Sequence, residues 1–322
     1  MPSTNVAATA VPANTPKRQT RFMDVKKKLK KSAVLYLIIA PVVVYFAIWA
    51  YWPMYGVQIA FKNFMPGVGI WGSPWAGFHH FERLFNSYYF GPIVRNTIAI
   101  SLYSILIGIP TPIILALMFN ELRSKRFKTI AQTISYAPHF ISVVVAVGML
   151  LFFLSPTNGV INALIELFGG TPKSFLSQPG SFWSIFVWSG TWQGIGWASL
   201  IYTAAMSGIS PDQYEAAYID GASKFRRIWH ITLPGIAPTI VILSILSVGG
   251  IMSVGHEKIL LLQNGLNLET SEVISTYVYK SGIQNAQYSF SAAIGLFNNV
   301  INFAILLLVN TVARRINETS LW

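Results

Sequence analysis

Few side chains in this chain could do covalent chemistry, and they are badly spaced for it. There are five histidines, eleven carboxylates and no cysteine. Without cysteine there is no thiol nucleophile, no disulfide and no thiolate metal site. No Gly-Lys dipeptide occurs, so the G-x-x-x-x-G-K-[ST] loop that cradles nucleotide phosphates is absent. H-E-x-x-H and G-x-S-x-G are absent too, which removes the common zinc-hydrolase and serine-nucleophile signatures. His79 and His80 are adjacent but have no partner at ligand spacing. They read as solvated loop side chains, and no metal site is expected. His139 stands beside Pro138 and Tyr136 in an apolar stretch, where it either faces a cavity or is held in packing by a hydrogen bond. Asn298 and Asn302 are four residues apart, on one face of a helix. Amides are costly in lipid, so that face turns to protein or to a polar cavity.

The elements that must position these residues are membrane helices. Of 322 residues, 53% are hydrophobic and 11% charged, against roughly 25% charged in an ordinary soluble domain. That deficit excludes a soluble enzyme and a disordered chain, and leaves a polytopic membrane protein. A helix crosses the hydrocarbon layer with about 20 apolar residues. Six such stretches fall at roughly 33–55, 93–119, 131–154, 182–207, 236–256 and 288–312. They must be helical, because lipid offers the backbone no partners. Their central parts hold no Asp, Glu, Lys or Arg; Arg95 and Glu257 lie only at ends. An ion-driven carrier normally needs such a group inside the membrane, so uphill movement would draw its energy from elsewhere.

The net charge of +12 is organised. Seventeen of the 23 basic residues lie before the first stretch, between the second and third, between the fourth and fifth, and after the sixth. The positive-inside rule therefore places both termini in the cytoplasm. The charge reports orientation; no groove-reading motif accompanies it, so nucleic acid is not expected as a partner. Residues 1–32 form a basic cytoplasmic segment, with a small, polar and disordered start over about 1–20. Met23–Lys31 forms a short basic helix that either lies on the anionic inner leaflet or only anchors the first span. Residues 33–312 form the membrane domain, and 313–322 a cytoplasmic tail.

One cytoplasmic loop, 208–234, has a distinctive pattern. Ser210 suits an N-cap, Pro211 the first helical position, and Gln213 completes a capping box. Asp212 and Glu215 place negative charge near the positive helix end. Gly221 suits the left-handed residue that stops a helix. The pattern predicts a short helix over about 211–220 and a second over Lys224–Thr232 leading to Pro234 and the fifth span.

This loop resembles the EAA loop of permease subunits of binding-protein-dependent ABC importers, E-A-A-x3-G-x9-I-x-L-P. Glu215, Ala216, Ala217, Gly221, Ile231, Leu233 and Pro234 match every fixed position. Asn96-Thr97, Ala116–Glu121, Gln132–Phe140, Ser155–Gly159, Thr276–Tyr279 and Ser320-Leu321-Trp322 look like the LplB-type carbohydrate permeases. That group is similar to the larger permease of the maltose importer and to that of an alginate importer. The resemblance covers all but about the first 20 residues. It implies an all-α fold of the type I (MetI-like) importer class in a bacterial inner membrane. It also implies a second homologous permease, two ABC ATPases that hold ATP and magnesium, and an extracytoplasmic solute-binding protein. No cofactor is expected on this chain.

The resemblance further implies that Glu215, Ala216, Ala217, Asp220, Gly221, Ala222 and Pro234 couple the ATPases to transport. Sugar sites in the maltose relative lie on helices corresponding to the third, fourth and sixth spans. Trp192, Gln193, Asn298, Asn299 and Asn302 are the candidates here, each equally placed for helix packing. A channel or secondary carrier is the competing reading, and it predicts transport without nucleotide. No basic funnel among the outside loops marks an acidic cargo.

Overall fold

The computed structural model describes residues 32–317. The start expected to be disordered, the expected helix at Met23–Lys31 and the Ser320-Leu321-Trp322 ending lie outside the described residues. The chain forms two units, Met1–Val57 and Gln58–Trp322. In the first, α1 (Ala33–Phe46) continues through a π-turn at Ala47–Tyr51 into Trp52–Met54.

The second unit is helical, and among the described residues its one β-pairing is the isolated Lys62–Trp75 bridge. Its main helices are α2 (Phe90–Gly108), α3 (Pro110–Glu121), α4 (Lys125–Tyr136), α5 (Val143–Phe153) and α6 (Phe182–Met206). They are followed by α7 (Pro211–Ile219), α8 (Lys224–Arg227), α9 (Leu233–Gly249), α10 (His256–Leu262), α11 (Ile274–Tyr279) and α12 (Tyr288–Asn317). Among the described residues, four helical runs are long and apolar enough to cross a membrane: Ala33–Phe61, Phe90–Glu121, Lys224–Gly249 and Tyr288–Arg315.

The third expected span is not one helix. α4 with the 3-10 turn Ala137–Phe140 meets α5 at a 100° bend. Pro138 cannot donate to the helical ladder. Ile141 and Ser142 turn extended, and Ser142 restarts the helix by accepting from Val145 N at 3.3 Å. Ile141 is left outside both helices, and Gln193 Nε2 donates to its carbonyl at 2.7 Å. The bend is thus repaired by a neighbouring helix, as non-helical backbone at membrane depth requires.

The fourth expected span forms a 25-residue helix, α6, yet it is too rich in Trp, Ser, Gly and Thr to rank with the apolar four. Its position explains this. It packs against α2, α3, α4, α9 and the Ala137–Phe140 turn, so part of its surface meets protein instead of lipid. Small residues let backbones approach there, and Gly196 is the extreme case: a Cβ would run into the Ser135 carbonyl.

The fifth expected span is displaced. The helix begins at Lys224, passes through a π-turn at Ile228–Thr232 and ends at Gly249, not 256. The π-turn stands immediately ahead of Pro234, whose missing N–H and ring disturb an α-helical ladder. At the other end, Asn302 of α12 accepts from Met252 N at 2.9 Å and donates to Ser253 Oγ at 2.8 Å, pinning the non-helical turn.

The segment between α9 and α12 folds back on the bundle. Asn96 of α2, fully buried, donates to the carbonyls of Glu269 at 2.8 Å and Glu272 at 3.0 Å. Thr97 Oγ1 accepts from Ile274 N at 2.9 Å. Apolar packing completes the join, with Ile100, Val147, Phe182, Ile259, Leu262 and Val273 in one cluster. A second cluster, Ile113, Ala116, Tyr202, Met206 and Ile236, ties α3, α6 and α9. His80, expected to be solvated, is buried: its ring nitrogen Nε2 lies 3.1 Å from the Lys62 carbonyl oxygen. Burial lowers its pKa, against the opposing pull of that carbonyl.

Candidate functional site

The loop 208–234 closes around two caps. Ser210 Oγ accepts from Asp212 N at 3.3 Å, one residue earlier than the capping box required. α7 then runs from Pro211 to Ile219. It ends in a full Schellman motif: Ala222 N donates to Ala217 O at 2.9 Å and Gly221 N to Tyr218 O at 3.1 Å. Gly221 has φ +71°, the left-handed conformation the sequence required. Ser223 caps α8 by accepting from Arg226 N at 3.4 Å.

Three contacts hold this loop together and against the bundle. Tyr214 and Thr232 share a hydroxyl hydrogen bond of 3.0 Å. Lys224 pairs with Glu121 of α3 at 3.6 Å, an exposed pair of small energetic weight. Gly235 lies against Ile209, where a Cβ would fall 2.6 Å from the Ile209 side chain. Glu215, Ala216, Asp220, Gly221 and Pro234 are exposed, while Ala217 and Ala222 are half-buried. Around them stand Tyr218, Ile219, Phe225 and Trp229, each at least 64% exposed. An apolar cluster open on a charged loop is the composition of a protein contact. These four side chains were not singled out by sequence, because exposed aromatics have no spacing signature.

The cavities lie elsewhere. One, of about 340 Å³, is bounded by α2, α3 and α6 and lined by Ser104, Thr111, Phe186, Gly190, Gln193 and Lys258 among others. The second, of about 430 Å³, lies between α5 and α6, with Phe153, Trp188, Trp192, Gln193 and Lys258. The third, of about 370 Å³, includes His256, Ser275, Tyr279, Ser291, Asn298 and Asn299.

The candidate sugar residues therefore fall into two groups that share no cavity. Trp192 and Gln193 border the second, with Gln193 also on the first. Asn298 and Asn299 border the third, where Asn298 Oδ1 is buried without a hydrogen-bond partner. Asn302 is committed to Met252 and Ser253 and borders none of the three. His139 stacks on Trp197, centroids 4.7 Å apart and planes within 3°.

Residues 108–318 match the family described as "Binding-protein-dependent transport system inner membrane component". The chain belongs to that family. It is 40% identical over 294 residues to protein LplB of Bacillus subtilis, covering 91% of this chain and 92% of that one. It is 39% identical to the polygalacturonan/rhamnogalacturonan transport system permease protein YteP of the same organism, covering 92% of each. A solved bacterial ABC transporter that imports the acidic polysaccharide alginate contains a chain 42% identical, with TM-score 0.85 over 91% of this chain and 99% of that one. This protein is accordingly a multi-pass inner-membrane permease subunit of the ABC importer class, a transporter component and not an enzyme.

Proposed function

We propose that the chain is one of two homologous permeases in an ATP-driven importer of an acidic oligosaccharide, fed by an extracytoplasmic binding protein. The observation that carries this is the loop 208–234, a doubly capped, apolar-tipped surface matching the EAA pattern at every position. The acidic cargo is supported by the relatives named for polygalacturonan/rhamnogalacturonan and alginate.

The reading takes six spans with both termini in the cytoplasm, the orientation favoured by 17 of 23 basic residues. α6 and the bent α4–α5 pair then count as the remaining two spans. Two ATPases hold ATP and magnesium, and α7 seats in a groove of one of them. Their closure moves α7 and rocks the bundle about a central cavity, so that the path opens first outward and then inward. Glu215 and Asp220 offer carboxylates to basic groups on the ATPase, and Gly221 with its neighbouring alanines keeps the surface low.

Proteoliposomes carrying both permeases and both ATPases test this. Uptake of oligogalacturonate or oligomannuronate should need ATP inside the ATPase compartment and binding protein on the other side. Equal uptake without nucleotide would favour a channel or carrier instead.

A further inference from the structure

Lys258 is a charged side chain at the cavities that the coupling loop does not use. It lies on α10, in the segment between α9 and α12. Its ammonium is 3.2 Å from the Phe186 carbonyl and 5.1 Å from the centroid of the Phe186 ring. Gly190 makes the room, since a Cβ there would sit 3.3 Å from Nζ. An ammonium has three donors, and this carbonyl takes one. Among the described residues, the ion pairs belong to Lys224 and Lys280, and no carboxylate pairs with Lys258. Burial holds its pKa down, to about 8.

The same ammonium borders both cavities that flank α6. On one side stand Ser104, Thr111 and Gln193. On the other stand Trp188 and Trp192, four residues apart on one face of α6 and each about half exposed. No second cation lines either cavity among the described residues. A desolvated cation with spare donors favours an anion that brings several acceptors. A single positive charge matches a carboxylate better than a phosphate. Indole faces suit the apolar face of the ring that carries it.

We infer that Lys258 reads a uronate carboxylate of the cargo inside the translocation path, with Trp188 and Trp192 seating the sugar ring. This rests on the proposed reading of the chain as an acidic-oligosaccharide importer. The selectivity then comes from one half-buried cation instead of a basic funnel at the mouth.

The test is isothermal titration of the assembled, detergent-purified transporter with trigalacturonate and with galactotriose, which has no carboxyl groups. Lys258→Gln should raise Kd for trigalacturonate by about tenfold or more and erase its preference over galactotriose. Lys258→Arg should keep that preference. Wild-type affinity should fall as pH rises through about 8, where Lys258 loses its proton, and Lys258→Arg should flatten the profile. The arginine variant separates Lys258 from the other titratable groups on the elements around it: Tyr103 and Arg95 of α2, Tyr202 of α6, Tyr277 and Tyr279 of α11, and His256 and Glu257 of α10. Unchanged affinity in an assembled Lys258→Gln transporter would make Lys258 a tether between α10 and α6, while uronate uptake would still support the importer reading. Should that variant fail to assemble, a flat wild-type pH profile overturns the inference by itself. A wild-type transporter that moves galactotriose and no uronate would remove both.

Discussion

Gly221→Asp should abolish ATP-driven uptake while leaving the membrane domain folded. Gly221 sits at φ +71°, where a side chain costs about 1 kcal/mol. That cost alone would not unfold the protein, because a Cβ at this position meets nothing within 4 Å in this chain. The larger effect falls on the partner. The added carboxylate stands beside Asp220 on an exposed surface that the proposal seats in an ATPase groove. Glu215→Lys reverses a charge on the same surface, where like-charge contact costs several kcal/mol. Both variants should lose uptake and binding-protein-stimulated ATPase activity together. Docking of the loaded binding protein on the opposite side should persist. Wild-type uptake and stimulation in Gly221→Asp would detach this loop from energy coupling.

Gly196→Ala should prevent stable assembly, and Gly194→Ala should not. The two glycines are two residues apart on α6 and differ in one physical respect. A Cβ on Gly196 collides with the Ser135 carbonyl and lies 3.0 Å from Tyr136 N, backbone atoms that cannot rotate away. A Cβ on Gly194 meets nothing within 4 Å. Overpacking costs about 1–3 kcal/mol even where side chains can yield, so a clash with backbone should exceed that range. The expected readout is loss of the monodisperse peak and a lowered melting temperature for the solubilised Gly196→Ala complex, with Gly194→Ala near wild type. Equal melting temperatures would mean that α6 and α4 do not cross this closely.

The contrast between those glycines marks how far the sequence could be read. The 208–234 loop was legible nearly to the residue, because caps are local: Ser210, Pro211 and Gly221 act within a few positions of themselves. Only the capping box failed, since the Ser210 cap takes the N–H of residue 212 instead. The apolar helices were legible because lipid demands them. The bend in the third span was not. Pro110, Pro112 and Pro238 are accommodated in or at the start of helices, whereas Pro138 precedes a 100° break. What distinguishes Pro138 is Gln193, which donates to the Ile141 carbonyl from 52 positions further along the chain than Ile141.

Asn302 shows the same limit. Its amide marked a polar contact, and the partner is a backbone turn at Met252 and Ser253. His80 looked solvated because it had no partner at ligand spacing, yet the carbonyl of Lys62, 18 positions earlier, lies against its ring. Lys258 carried no signal in one dimension. Its meaning comes from Phe186, 72 positions away, and from the space left by Gly190.

The most direct test of the coupling loop uses the absence of cysteine from this chain. Ile219→Cys places one thiol at the tip of α7, where the native side chain is 83% exposed. Membrane vesicles of each orientation are treated with a membrane-impermeant maleimide, with the ATPase subunits stripped off or rebound. Labelling is expected only in inside-out vesicles lacking the ATPases, and rebinding the ATPases should protect the thiol. Labelling in right-side-out vesicles, or no protection by the ATPases, would contradict the account.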